Sequence, residues 1–216
     1  WQTIFDGETL EGWKKAGENP ESISVEDGMI KCAGERSHLF YEGDFKNFEF
    51  EAEIKAQEHS NSGVFIHTEY QKEGWPAKGY EIQVNNSYRG SVKFPERRKT
   101  GSIYNVRNVY YPLAADNEWF TMRIKVVENV VEVYVNDVKV NEYTEPENPW
   151  RWDGGENVKL SHGTFALQAH DPGSTTYYRN IRVKALPEAE PATPEVDKEW
   201  DTKVTKLMFA GFPLVD

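Results

Sequence analysis

An all-β fold, two antiparallel sheets packed face to face, is what this 216-residue sequence predicts. Three observations carry that reading: apolar and polar residues alternate in short runs, Gly, Asn, Asp and Pro separate the runs, and no long helical stretch occurs. Residues 48–56 show the alternation best, with Phe48, Phe50, Ala52 and Ile54 on one face and Glu49, Glu51, Glu53 and Lys55 on the other. Residues 121–127 place Met122, Ile124 and Val126 on one side, and Asn129 turns the chain into Val131, Val133 and Val135, a hairpin. Asn136-Asp137 makes the next turn into 138–143. Further strands are expected at 22–25, 29–33, 63–70, 79–84, 163–169 and 176–184. Ten or more strands are too many for one open sheet and indicate two packed sheets, with 71–78 and 89–112 as loops over one face.

The length suits one large sandwich. After Pro187 the composition becomes Pro-rich and acidic, so the domain is expected to span 1–187 and a linker with an apolar tail 188–216. The tail's Trp200, Leu207, Met208, Phe209, Phe212, Leu214 and Val215 suit packing on the sandwich or a homo-oligomer contact, with a disordered tail as the third expectation.

A formal charge of -11 argues against nucleic-acid or anionic-membrane partners, since little here would displace counterions from phosphates. The short cluster Arg97, Arg98 and Lys99 reads as a solvated loop. One cysteine, Cys32, allows no intramolecular disulfide and reads as a small buried apolar residue. No apolar run approaches the roughly 18 residues of a membrane-spanning helix. A first residue of Trp rather than Met, with no disulfide, suits an exported bacterial protein, periplasmic or surface-associated.

Strand alternation also brings chemically active residues to the faces opposite the core. His67 and Glu69 project together, as do Glu81, Gln83 and Asn85, and as do Gln168 and His170. Amides, imidazole and a carboxylate beside aromatic rings suit a pyranose, whose hydroxyls take paired hydrogen bonds and whose apolar face stacks on Trp or Tyr. Trp75, Tyr80, Tyr104, Trp150 and Trp152 are the platform candidates.

The sequence resembles the 3-keto-disaccharide hydrolase family, the domain of unknown function 1080. The ordered pieces are Trp1-Gln-Thr-Ile-Phe-Asp-Gly-Glu-Thr-Leu-Glu-Gly-Trp13, Asn61-Ser-Gly-Val-Phe-Ile66, Gly79-Tyr-Glu-Ile-Gln83, Thr100-Gly-Ser-Ile-Tyr104, Glu118-Trp119, Gly163-Thr-Phe-Ala-Leu-Gln-Ala-His170 and Tyr178-Arg-Asn-Ile-Arg182. The resemblance implies a concanavalin A-like jelly roll of the lectin and glucanase type, export in many members, and activity on sugars oxidised at C3. It places Glu81 and Gln83 on the family's Glu-x-Gln strand, and Gln168 and His170 on its Leu-Gln-x-His strand. Where the family often has Asp after Glu-x-Gln, this chain has Asn85-Asn86.

A retaining glycosidase needs two carboxylates about 5–5.5 Å apart, and the Glu81 strand supplies one. A 3-keto sugar needs less, because the ketone acidifies the C2 proton and the aglycone leaves by elimination. Glu81 or His170 is then the base, and Gln83, Gln168 and either His67 or Arg179 hold hydroxyls and the developing oxyanion, with Glu69 a partner carboxylate. No cofactor is required. A divalent cation on His67, Glu69 and Glu81 is one alternative, and a non-catalytic carbohydrate-binding module is another.

Overall fold

In the computed structural model, which describes residues 1–193, thirteen strands and one short 3-10 turn make two antiparallel sheets. The expectations for Trp200 and the apolar segment beyond it lie outside the described residues. The larger sheet contains β1 (Gln2–Thr3), β3 (Ile23–Glu26), β4 (Met29–Ala33), β6 (Phe48–Ala56), β9 (Phe120–Val127), β10 (Val130–Val135), β11 (Val138–Thr144) and β13 (Thr175–Ala185). Its order is β11-β10-β9-β6-β13-β4-β3, with β1 paired to β13. The smaller sheet contains β2 (Trp13–Lys15), β5 (Ser37–Tyr41), β7 (Ser62–Thr68), β8 (Tyr80–Val84) and β12 (Thr164–Ala169), in the order β2-β5-β12-β7-β8.

The core is the space between the sheets. Phe48, Phe50 and Ile54 of β6, Met122, Ile124 and Val126 of β9, and Val131 and Val133 of β10 are all fully buried. They face Leu39, Val64, Ile66, Ile82, Val84, Phe165 and Leu167 of the smaller sheet within one hydrophobic cluster. Phe165 is central, with ring centroids 4.9 Å from both Phe48 and Phe50. Each such side chain contributes about 1.5–3 kcal/mol by leaving water. The expected hairpins are present, and Asn136 and Asp137 both take positive φ, as a two-residue hairpin turn of primed type requires. Cys32 is buried in β4, and burial pushes its thiol well above the usual range.

Strands β2 and β5 were not expected. All of Ser37, His38, Leu39 and Phe40 are buried, because Leu39 faces the core while Trp75 of the 71–78 loop packs on His38 and Tyr70 packs on Phe40. A strand covered on both faces shows no period-two signal. At the other end, residues 187–192 lie along the β9–β10 turn: Asn47 donates to the Pro187 carbonyl, and Asn129 exchanges hydrogen bonds with Ala192.

Candidate active site

The outward face of the smaller sheet carries the candidate site. Antiparallel register sets Gln168 opposite His38, Ala166 opposite Phe65, Phe65 opposite Glu81, and Gly63 opposite Gln83. Gly63 has a steric role, because a Cβ there would stand 2.4 Å from Glu81 Oε1. Its missing side chain lets the Glu81 carboxyl lie across β7 toward β12. There Gln168 Nε2 donates to Glu81 Oε1 at 3.2 Å.

A cavity of about 350 Å3 opens above these residues. Its floor is Glu81, Gln83, Gln168, His170, Asn61 and Phe65, and its walls are Trp75 with Pro76, Tyr104 with Asn105, and Trp152 with Val158. The two loops expected over one face, 71–78 and 89–112, supply two of the three walls. Gln83 Nε2 donates to Asn61 Oδ1 at 2.6 Å. With both amide nitrogens engaged, Gln83 Oε1 and Gln168 Oε1 remain buried without a protein partner. Buried acceptors of this kind cost free energy unless a ligand hydroxyl meets them.

Burial dominates the electrostatics. Desolvation pushes the Glu81 carboxyl up to about 8; the Gln168 hydrogen bond opposes this, while the nearby Glu96 charge adds to it. Glu81 therefore largely keeps its proton at neutral pH. His170 Nδ1 lies 2.6 Å from Asp171 Oδ2. A carboxylate only accepts, so Nδ1 is the donor in this contact. Ser174 Oγ and Gly173 N donate to Asp171 and fix it in turn. Tyr104 donates to Glu96 Oε2 at 3.1 Å, and burial followed by the Glu96 charge raises its phenol to about 12.

Of the residues selected from sequence, Glu81, Gln83, Gln168, His170, Trp75 and Tyr104 line this one cavity, joined by Trp152. Five others lie elsewhere. His67 sits at a β-bulge, with φ of 53°, which turns its ring into the core against Phe48. Its Nε2 donates to the Lys46 carbonyl at 2.8 Å, its Nδ1 accepts from Ser161 N, and desolvation lowers it to about 4. Glu69 lies beyond that bulge and pairs with Lys78 on the surface. Tyr80 points inward, fully buried, and its hydroxyl donates to Glu145. Arg179 belongs to the outer face of the larger sheet and pairs with Glu53 at 2.7 Å. The cation site drawn from His67, Glu69 and Glu81 is thus dispersed, since both His67 nitrogens are committed to the backbone. Trp150 is 82% exposed and does not line the cavity.

The structure adds residues that were not selected. Asp171 orients His170, and its adjacency in sequence was the available signal. Asn61 holds Gln83, and Gly63 makes room for Glu81. His38, on the unexpected β5, is buried against Phe65 and Trp75, held neutral by burial, which lowers it to about 3, and its Nε2 has no partner. Arg98 is not a free loop cation, since it pairs with Glu96 at 2.9 Å and lies 4.4 Å over the Tyr104 ring.

A lectin-type sandwich whose polar face holds a carboxyl, amides and an imidazole inside aromatic walls defines a glycoside hydrolase-like enzyme. More narrowly, the chain belongs to the family of 3-keto-alpha-glucoside-1,2-lyase-like domains, whose model matches residues 1–184. It is 29% identical to a 3-keto-disaccharide hydrolase of Bacteroides thetaiotaomicron, over 85% of this chain and 78% of that one. The fold is shared with a candidate glycosyl hydrolase from Parabacteroides distasonis ATCC 8503, at TM-score 0.74 and 23% identity, covering 85% of this chain and 93% of that one. It is shared more distantly with carbohydrate-binding module CBM66 from Bacillus subtilis, at TM-score 0.55 and 11% identity, covering 81% and 96%.

Proposed function

We propose that the cavity takes a glycoside oxidised at C3 and expels its aglycone by elimination across C1 and C2. The observation that carries this reading is that Glu81 is the lone carboxyl among the residues lining the cavity. Direct displacement by a carboxylate pair has no second member there. Elimination needs one base and one acid, and the Asp171-oriented imidazole of His170 and the buried carboxyl of Glu81 suit these two roles.

His170, whose Nδ1 donates to Asp171, removes the C2 proton through its Nε2. The electron pair delocalises onto the C3 carbonyl as an enolate. When the carbonyl reforms, C1–C2 becomes a double bond and the C1–O bond breaks. Glu81, protonated through burial, gives its proton to the departing oxygen. Water adding across C1 and C2 completes net hydrolysis. The free Oε1 atoms of Gln83 and Gln168 accept from sugar hydroxyls and fix the ring. The scheme uses no cofactor. A binding-only module would have no use for a carboxyl kept protonated at such cost.

The test compares a 3-keto glucoside with its unoxidised parent, the ketone form alone being cleaved. Equal cleavage of both would sink the scheme. Deuterium at C2 should also slow the reaction through a primary isotope effect.

A further inference from the structure

The three aromatic walls of the cavity differ in what already occupies them. Trp75 is covered: Arg36, held by Glu18 at 2.6 Å, lies 4.9 Å from its ring, and the His170 ring stands 5.2 Å away. Tyr104 carries Arg98 on one face and spends its hydroxyl on Glu96. Trp152 has no aromatic or cationic stacking partner among the described residues, lines the cavity, and is 36% exposed.

One face of Trp152 is backed by Gly155. A Cβ on that glycine would lie 2.7 Å from Cε2 and 3.0 Å from both Cδ2 and Nε1 of the indole. The two fusion carbons can be approached together only over the ring face, so Gly155 closes one face and leaves the other. The backing is stiff. Gly155 N donates to the Trp152 carbonyl at 2.9 Å, and the neighbouring Arg151 donates to the Val158 carbonyl at 2.5 Å and to Glu145 at 3.2 Å. The same loop joins the strand of Glu81, since Gly79 N donates to the Asn157 carbonyl at 3.0 Å.

Resting on the elimination reading above, we propose that Trp152 is the residue that seats the ring of the leaving group and so sets how strongly the site favours a pyranose aglycone over a smaller one. Glu81 hands its proton to the departing oxygen, and the loop bearing Trp152 is tied two residues from Glu81. A pyranose presents an apolar C–H face that stacks on indole, and a methyl aglycone presents no such face.

The experiment measures kcat/KM on two 3-keto glucosides, one with a glucose aglycone and one with a methyl aglycone. Trp152→Ala should lose roughly tenfold on the disaccharide and little on the methyl glycoside, while Trp152→Phe keeps most of the discrimination. Gly155→Ala, which pushes the indole from its seat, should reproduce the selective loss. Equal losses on both substrates overturn the platform. If the wild-type protein cleaves neither glycoside, the elimination reading fails and the platform is judged by indole fluorescence titration with the same two compounds. Tighter binding of the disaccharide that disappears in Trp152→Ala then supports it, and equal affinities overturn it.

Discussion

The outer faces of the two sheets use polar residues in opposite ways. On the larger sheet the outward carboxylates meet cations across the strands: Glu49 with Arg123 at 3.4 Å, Glu51 with Arg182 at 2.6 Å, Glu53 with Arg179 at 2.7 Å and Glu132 with Lys125 at 3.0 Å. On the smaller sheet the one outward carboxyl over the cavity, Glu81, has an amide for a neighbour, and Gln83 and Gln168 keep buried oxygens without partners. The first face is solvated and self-satisfied, as antiparallel sheets commonly are. The second holds unspent hydrogen-bonding capacity in a buried place, where a polar ligand would recover the cost of burying it. Charge count alone would have favoured the wrong face.

The contrast is broken or sharpened most strongly at Glu81. Glu81→Gln keeps the shape but removes the transferable proton, and kcat on a 3-keto glycoside should fall by about 10²–10⁴. In the wild type, activity should decline as pH rises through about 8, where Glu81 loses its proton, and this alkaline limb should vanish in the variant's residual activity. A wild-type profile flat through that range would remove Glu81 as the acid. Next in size is Gly63→Ala, whose methyl would overlap the carboxyl. Displacing Glu81 by about an ångström should cost about 10–100-fold in kcat, with KM moving less.

The same carboxyl makes a prediction about stability. Its folded pKa lies above the unfolded one, so the unfolded chain releases a proton that the folded chain retains. The penalty is absent below about pH 4, where both states are protonated, grows as pH rises toward 8, and is then constant. Glu81→Gln should therefore raise Tm at pH 8 but leave it nearly unchanged at pH 4, the gain being on the order of a few kcal/mol at most. A variant that loses stability at pH 8 would show that Glu81 is structural rather than held at a cost for chemistry.

How much of this was legible in the sequence depends on what covered each strand. Residues 48–56 alternate because one face is core and the other water, so both the strand and its role could be read. Ser37–Tyr41 could not, because Tyr70 and Trp75 cover its second face; with it went His38. His67, Glu69, Tyr80 and Arg179 lie away from the cavity for separate reasons. A positive-φ bulge at His67 inverted the alternation, so that it and Glu69 left the face that Phe65 keeps. Tyr80 alternates correctly with Glu81 and for that reason points inward. Arg179 does face outward, but from the other sheet, and which sheet a strand joins is set by long-range pairing that no local pattern records. Glu81, Gln83, Gln168 and His170 come together at the cavity because β8 and β12, which flank β7, keep strict alternation up to it.

Arg179 gives the smallest effect and a direct check on that distinction. Its guanidinium pairs with Glu53, partly exposed, and lies 3.9 Å over the Trp119 ring. Solvent screening limits such a pair to about 0–1 kcal/mol, and the ring contact adds about 0.5–1 kcal/mol. Arg179→Ala should thus lower Tm by about 2–4 °C, with part of the loss also produced in the wild type by high salt. Because the sandwich core separates Arg179 from the cavity, kcat and KM on a 3-keto glycoside should stay within about twofold of wild type. A large fall in kcat with the fold intact would mean that the salt-bridged face takes part in the chemistry, and the division of labour between the two sheets would have to be abandoned.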